Sequence, residues 1–408
     1  MWYNNTNYNA SGAAPYDGRG RRGKLKTKEE NMVYRSRGRS GYATPARQSA
    51  AKKKLMVAGI CAAAVVLVLL YLLIFTNVFR NKPEYPVIDA AEAGAVAAND
   101  SGYYYMSGTT LRHVGFDGAE IWSSKFASGA LSLSVSNSLI CVYDTESANV
   151  FDTEKNLLFT IPSSNYRIES VSVSDNCIAM LTRLTSDDTI QYLRIFDATG
   201  VELNRIKLES TQILNYGLFG SDDNLWYLTL DATGVAPVSA ITTQSPAQKK
   251  VMGIVTITDQ LIEYVHYFGT DMYAIGTNDI SCYDSFGHKT SDSLIYGMDC
   301  IDVCKTEDNI LFVFAPRSDQ TSEYHSTARV LSRSGIDTLV QLPDSITDVL
   351  VTTTRLYAIS ESAIYIYSLE GDYVDVITPE FKIEDVRRMT ATSALLVTDS
   401  GIRSITLR

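Results

Sequence analysis

Histidine, cysteine and proline are scarce: four His, six Cys and ten Pro in 408 residues. Six cysteines over that length cannot staple a small secreted scaffold, so the fold has to rest on a packed core, and 45% hydrophobic residues are enough to build one. The four histidines (His113, His266, His288 and His325) lie far apart, and none has a second ligand at zinc spacing. A phosphate-binding glycine loop, a G-x-S-x-G elbow and an H-E-x-x-H helix are absent. No residue is therefore nominated as catalytic, cofactor-binding or metal-binding, and no cofactor is expected. Beyond residue 80 the chain also lacks any sustained 3.6-residue apolar period, which excludes a helical bundle.

Each region also lacks charge in its own way. Residues 1–54 hold three acids against 13 Lys/Arg, a net of +10, in Asn-, Gly-, Ser- and Tyr-rich sequence with no apolar pattern. Such a segment cannot bury enough apolar surface to offset the entropy of ordering, so it reads as a disordered basic tail. Residues 55–79, LMVAGICAAAVVLVLLYLLIFTNVF, carry no charge at all. That run exceeds the roughly 20 helical residues needed to cross a bilayer, and it predicts a transmembrane helix. A cleaved signal peptide has a shorter apolar region followed by a small-x-small site, and a lipoprotein anchor at Cys61 would want a small residue where Ile60 stands. Lys52, Lys53 and Lys54 precede the helix and only Arg80 and Lys82 follow closely, which places the N-terminus in the cytoplasm and residues 80–408 outside the cell membrane. The outer part is poor in basic residues, 23 against 43 acids, a net of −20. Nucleic acid is thereby excluded as its ligand, whereas the tail would attract anionic lipid.

From residue 84 the chain is a series of five- to eight-residue runs rich in β-branched and aromatic residues, separated by Asp/Asn/Gly/Ser turns. This is an all-β pattern, and it repeats. One turn signature recurs at Phe116-Asp117-Gly118, Phe151-Asp152, Phe196-Asp197, Tyr283-Asp284, Leu331-Ser332 and Tyr367-Ser368, with a degenerate copy at Ser245-Pro246. Its mean spacing of about 42 residues is the length of a four-stranded propeller blade. A second signature precedes it at Ser136-Asn137, Asp175-Asn176, Asp222-Asp223-Asn224 and Glu307-Asp308-Asn309, the turn after each blade's inner strand. The acids in these turns read as hairpin chemistry, not calcium ligands. A complete blade spans 168–208, the last copy stops after three strands, and EYPVID at 84–89 is placed to supply the fourth. Eight blades are expected, with seven the alternative.

Cys300 and Cys304 fall on one face of a strand but about 13 Å apart, too far for a disulfide, so the strand cysteines read as small buried hydrophobes. Tyr is abundant, 25 in all. The cluster Tyr103, Tyr104 and Tyr105, and the set Tyr357, Tyr365, Tyr367 and Tyr373, are candidates for a binding face, against the plain reading that Tyr favours strands.

With FDGAEIW and two copies of DATG, at 197–200 and 231–234, the outer domain resembles quinoprotein-type and WD40-like propellers, of whose docking tryptophans only Trp122 is in place. The whole layout also resembles an uncharacterised family of Gram-positive, largely clostridial, single-pass membrane proteins with a basic cytoplasmic tail and an extracytoplasmic propeller. A propeller without a catalytic constellation leads to the expectation of a non-enzymatic binding or scaffold module for an envelope protein or cell-wall component. Two other functions stay open: an enzyme using the central funnel, either a quinone-dependent dehydrogenase or a polysaccharide-cleaving enzyme, and a ligand sensor signalling through the single helix.

Overall fold

The computed structural model describes residues 84–90, 92, 95–127, 131–208, 211–284, 286–317 and 324–407, together with 64–66 and 68. The expected tail at 1–54 lies outside the described residues. So does the expected membrane helix at 55–79, except that 64–66 and 68 are helical with exposed side chains. Among the described residues no helix is long and apolar enough to cross a membrane.

Alternating apolar runs and tight Asp/Asn/Gly turns leave each segment one way to pair, with its neighbour in sequence, and the result is eight four-stranded antiparallel sheets. Seven are consecutive in the chain. Blade 1 holds β2 (Val96–Asn99), β3 (Gly102–Ser107), β4 (Thr110–Val114) and β5 (Glu120–Lys125). Blade 2 holds β6 (Ser132–Val135), β7 (Leu139–Tyr143), β8 (Ser147–Asp152) and β9 (Leu157–Pro162). Blade 3 holds β10 (Tyr166–Val173), β11 (Cys177–Leu184), β12 (Asp187–Asp197) and β13 (Glu202–Leu208). Blade 4 holds β14 (Gln212–Phe219), β15 (Asn224–Asp231), β16 (Val238–Ser245) and β17 (Lys250–Ile257). Blade 5 holds β18 (Ile262–Phe268), β19 (Asp271–Gly276), β20 (Asp279–Tyr283) and β21 (Lys289–Leu294). Blade 6 holds β22 (Met298–Lys305), β23 (Ile310–Pro316), β24 (Thr327–Ser332) and β25 (Asp337–Gln341). Blade 7 holds β26 (Asp348–Val351), β27 (Arg355–Ile359), β28 (Ile364–Ser368) and β29 (Tyr373–Ile377).

Blade 8 is composite: β30 (Ile383–Thr390), β31 (Ser393–Thr398) and β32 (Gly401–Thr406) come from the C-terminus, and β1 (Val87–Ile88) completes it from the other end of the domain. Val87 pairs with Arg403 and Ile88 with Ile402, the Ser404 N–H donates to the Pro86 carbonyl at 2.9 Å, and Tyr85 packs edge-on against Phe381. The ring therefore has eight blades, closed by the segment at 84–89.

Eight apolar clusters fill the eight blade interfaces. The period-2 alternation of the strands feeds two of them at once: in β11, Ile178 and Met180 pack toward blade 2 while Ala179 and Leu181 pack toward blade 4. Tyr103 and Tyr105 pack toward blade 8 and Tyr104 toward blade 2, all three at most 3% exposed. The expected Tyr103–105 binding face is thus interface core. Tyr357 and Tyr367 are buried as well, Tyr365 is half-buried, and in the second candidate set only Tyr373 is exposed, at 58%.

All five cysteines of the domain are free, and Cys141, Cys177, Cys282 and Cys304 are buried. The expectation that Cys300 and Cys304 share a face is corrected by a β-bulge between Cys300 and Asp302, whose extra residue reverses the alternation. Cys300 packs at the interface with blade 5 and Cys304 at the interface with blade 7.

Inside the ring one ion pair bridges three inner strands. Arg388 of β30 donates from Nε and Nη2 to the two carboxylate oxygens of Asp302 on β22, at 2.6 and 2.5 Å, and Nη2 also reaches the Val351 carbonyl on β26. Asp302 accepts the Val351 N–H at 2.8 Å as well, and its side chain is only 4% exposed. The pair is bidentate and fully hydrogen-bonded, the condition under which a buried pair offsets its desolvation. On blade 3, burial alone would raise the Glu202 carboxyl, but hydrogen bonds from Arg205 and Arg194 outweigh it and hold the group down to about 2.

Three outcomes follow, all read as urea unfolding midpoints. Ile88→Ala, at the closing seam, is expected to cost about 2–4 kcal/mol, as for other buried aliphatic truncations. Arg388→Ala strands the Asp302 carboxylate and is expected to cost about 3–5 kcal/mol, of which the double change Arg388→Met with Asp302→Leu recovers the greater part. Because the Glu202 carboxyl is depressed on folding, its contribution is complete above its unfolded value of 4.5 and is lost as pH falls toward 2. Glu202→Gln should therefore destabilise at pH 6 by on the order of 2–3 kcal/mol, with the deficit shrinking at pH 3.

Candidate functional site

Successive strands of a blade run in opposite directions, so the first-to-second and third-to-fourth connections share one face of the ring, while the second-to-third and blade-to-blade connections share the other. Both turn signatures of the sequence fall on the first, the turn face. The chain also meets the ring there: a Cβ on Gly118, in the β4–β5 turn at φ +80°, would press on Pro86.

On the turn face the acids are spent on their own hairpins. Asp117 accepts the Ala119 N–H at 3.0 Å, Asp152 the Asn156 N–H at 2.7 Å, and Asp197 those of Thr199 and Val201 at 2.8 and 3.0 Å. The His288 and Phe286 N–H groups hold the Asp284 carboxyl below its ordinary range. In four blades a hydroxyl (Ser136, Ser174, Thr306 or Thr352) accepts the N–H three residues on. Toward the axis these turns surround a polar bowl of about 460 Å³, lined among others by Asn99, Asp100, Asn137, Asp175, Asn176 and Asp223. Its polar groups are committed from blade to blade: Asn137 Nδ2 donates to Asp100 at 2.6 Å, the Ser138 N–H to Asp175 at 3.1 Å, and Asn176 Nδ2 to Asp223 at 3.0 Å.

The loop face differs. Five inner strands begin with a β-bulge, and the extra residue is Glu169, Leu214, Glu263, Ile301 or Glu384. A bulge re-aims a side chain without ending the strand, and it recurs here where the inner strands start at the mouth of the funnel. Glu169 is held by Arg183 at 2.5 Å and Gln191 at 2.9 Å. Arg317 joins Asp299 at 2.6 Å to Glu263 at 3.2 Å. Burial raises the Asp348 carboxyl, with Thr347 opposing, the Asp385 charge adding to the rise and His325 opposing it.

Large apolar side chains stand exposed on this face of blades 4 to 6. Tyr296 is 82% exposed and Leu294 75%, both at the blade 5 to blade 6 connection; Leu214 and Tyr264 stand at the starts of β14 and β18, Leu261 before β18, and Val235 in the β15–β16 loop. The sequence marks none of them, because these connections follow no repeat and a lone Tyr or Leu in a strand-rich chain carries no signal of which face it takes.

The histidines stay apart. His113 is 3% exposed, stacked on Tyr104 with its Nε2 3.1 Å from Ser101 Oγ, and burial lowers it. Burial, aided by Lys305, lowers His266 to about 4. His288 is exposed beside Asp284, and His325 lies two residues before β24. Among the described residues no group of three or more His, Cys, Asp or Glu is placed to hold a metal. Trp122 docks as its motif implies, Nε1 donating to the Thr153 carbonyl of blade 2 at 3.1 Å, whereas Trp226 is core between blades 4 and 5. The two DATG copies are not equivalent: 197–200 lies on the turn face between β12 and β13, and 231–234 on the loop face between β15 and β16.

Among solved structures the chain is similar to the computationally designed Ika8 protein, at 9% identity and a TM-score of 0.53, with 79% of this chain and 100% of that one covered. It is similar also to the WD40 domain of SCAP from fission yeast, at 6% identity and a TM-score of 0.52, over 79% and 96% of the two chains. A third likeness, to a eukaryotic initiation factor, has 11% identity and a TM-score of 0.53 over 79% and 88%. At such identities the likeness is one of fold, a WD40-like β-propeller. No curated protein matches significantly. A family model matches residues 84–407, which is nearly all of the propeller, and the chain belongs to the family of unknown function DUF5711.

Proposed function

We propose that the protein is a binding scaffold, a propeller tethered to the cell membrane through 55–79 that recruits a protein partner outside the cell with its loop face. The observation that carries this reading is the set of exposed apolar residues on one face of blades 4 to 6, led by Tyr296, Leu294 and Tyr264. Exposed aromatic and aliphatic anchors with a charged surround are what a protein interface presents, and Glu263, Asp299 and Arg317 supply the surround. The net −20 of residues 80–408 favours a partner with a basic or neutral docking surface and disfavours nucleic acid, while the +10 tail would rest on anionic lipid inside.

Crosslinking of the full-length protein on intact cells, followed by mass spectrometry, tests the proposal. One envelope protein or wall fragment should be captured reproducibly, and the combined change Tyr264→Ala, Leu294→Ala and Tyr296→Ala should lower its yield at least roughly tenfold, the loss of a few interface anchors. Glu307→Ala, in the exposed β22–β23 turn on the turn face, should leave it unchanged. Undiminished capture by the triple variant would remove the loop face from the reading.

A second reading, a polysaccharide-cleaving enzyme using the funnel, is favoured by Asp348. A half-buried carboxyl raised mainly by desolvation, with a second carboxylate adding to the rise, has the direction a general acid needs. Cleavage of wall glycan by the full-length protein, abolished in Asp348→Asn, would establish it.

A further inference from the structure

A closed ring of blades still has eight open edges, because each outer strand presents unpaired backbone N–H and C=O groups. Most of these edges carry their own protection. β1 is two residues long and β9 ends in Pro162. Glu120 on β5 is tied to Arg112, Glu202 on β13 to Arg194 and Arg205, Lys289 on β21 to Asp292, and Asp337 on β25 to Arg329. β29 has Asp375 near its middle.

β17 is built otherwise. It is the longest of the outer strands, eight residues reading KVMGIVTI, and no charge follows Lys250 until Asp259. Val251, Met252 and Ile254 are 46%, 44% and 62% exposed. Phe286, 78% exposed, extends the apolar strip from a blade 5 turn that abuts the strand, where a Cβ on Gly287 would lie 3.2 Å from Val255. Gly253, with no side chain, lets a second backbone approach closely. The bulge of the strand falls at Met252 and leaves 253–257 in regular register.

The charges at its two ends name the occupant. Lys249 lies five residues before Ile254 and Asp259 five residues after it, and both are exposed. In an antiparallel pair of identical strands with Ile254 on the two-fold axis, Gly253 faces the other copy's Val255, Val251 its Ile257 and Met252 its Thr256, and just past the strand ends each copy's Lys249 comes opposite the other copy's Asp259. We infer that two copies of the protein associate edge to edge through β17, joining their fourth blades into one eight-stranded sheet. Backbone hydrogen bonds supply the attraction, the apolar strip is covered, and the terminal charges set the register. This surface lies on the outer rim of blade 4, apart from the loop-face residues assigned to a partner.

The test is an exchange of charge in the full-length protein in detergent, with mass read by light scattering after size exclusion. The wild type should run as a dimer. Lys249→Glu and Asp259→Lys should each weaken self-association roughly tenfold, since each sets like charges opposite one another at both ends. Mixed one to one, the two variants should pair again, because each charge then meets its opposite. Both variants fold independently of the contact, as both positions are exposed turn residues. A monomeric wild type, variants that dimerise undiminished, or a mixture that fails to recover would each overturn the inference.

Discussion

A four-stranded blade has two apolar faces and cannot exist alone in water, so every sheet in this protein needs a neighbour on each side. That constraint admits a ring or an endless array, and two residues decide for the ring. Val87 and Ile88 add to β32, turn a three-stranded remnant into the eighth blade, and bring Ile88 into one cluster with Tyr103, Tyr105, Leu395 and Ile402. Arg388 and Asp302 act on the same blade from its other side, holding blade 8 to blade 6 across blade 7. The closing blade is thus secured at its outer edge by a strand and at its inner edge by a charge pair. The strand is the cheaper device in desolvation, and the ion pair is the more exacting in geometry.

The molecule has one patterned face and one irregular face. Hairpins that must reverse the chain in a few residues draw on a short menu of Asp, Asn, Gly, Ser and Thr, and in this ring all such hairpins between strands one and two, and three and four, point the same way. Their polar groups are then used up locally or between blades, as Asn137 with Asp100 and Asn176 with Asp223 illustrate. The opposite face is free of that demand. Its loops vary, its inner strands open with bulges, and its apolar side chains are not absorbed by packing.

This asymmetry explains what was legible in the amino-acid order. The two recurring turn signatures, the blade at 168–208 and the closing role of 84–89 could be read because short-range turn chemistry and period-2 alternation act within a few residues. What could not be read depends on where distant segments meet. Tyr103 to Tyr105 look like a binding face in one dimension and are core in three, because β3 is covered on both sides. Cys300 and Cys304 look co-facial until a single extra residue at Ile301 reverses the strand. Tyr296 and Leu294 carry no signal at all, since exposure on a loop is decided by the neighbours a residue lacks.

The cysteines carry a consequence for how the protein is made. Burial pushes the Cys141 thiol up to about 12 and the Cys177 thiol to about 11, so neither holds an appreciable thiolate at neutral pH, the form that oxidants and disulfide exchange require. Once the blades have packed, Cys141 sits at a sealed interface between blades 2 and 3. The finished ring has no crosslink to acquire and none to lose. At the sealed Cys141, mispairing through disulfide exchange is confined to the time before blades 2 and 3 pack.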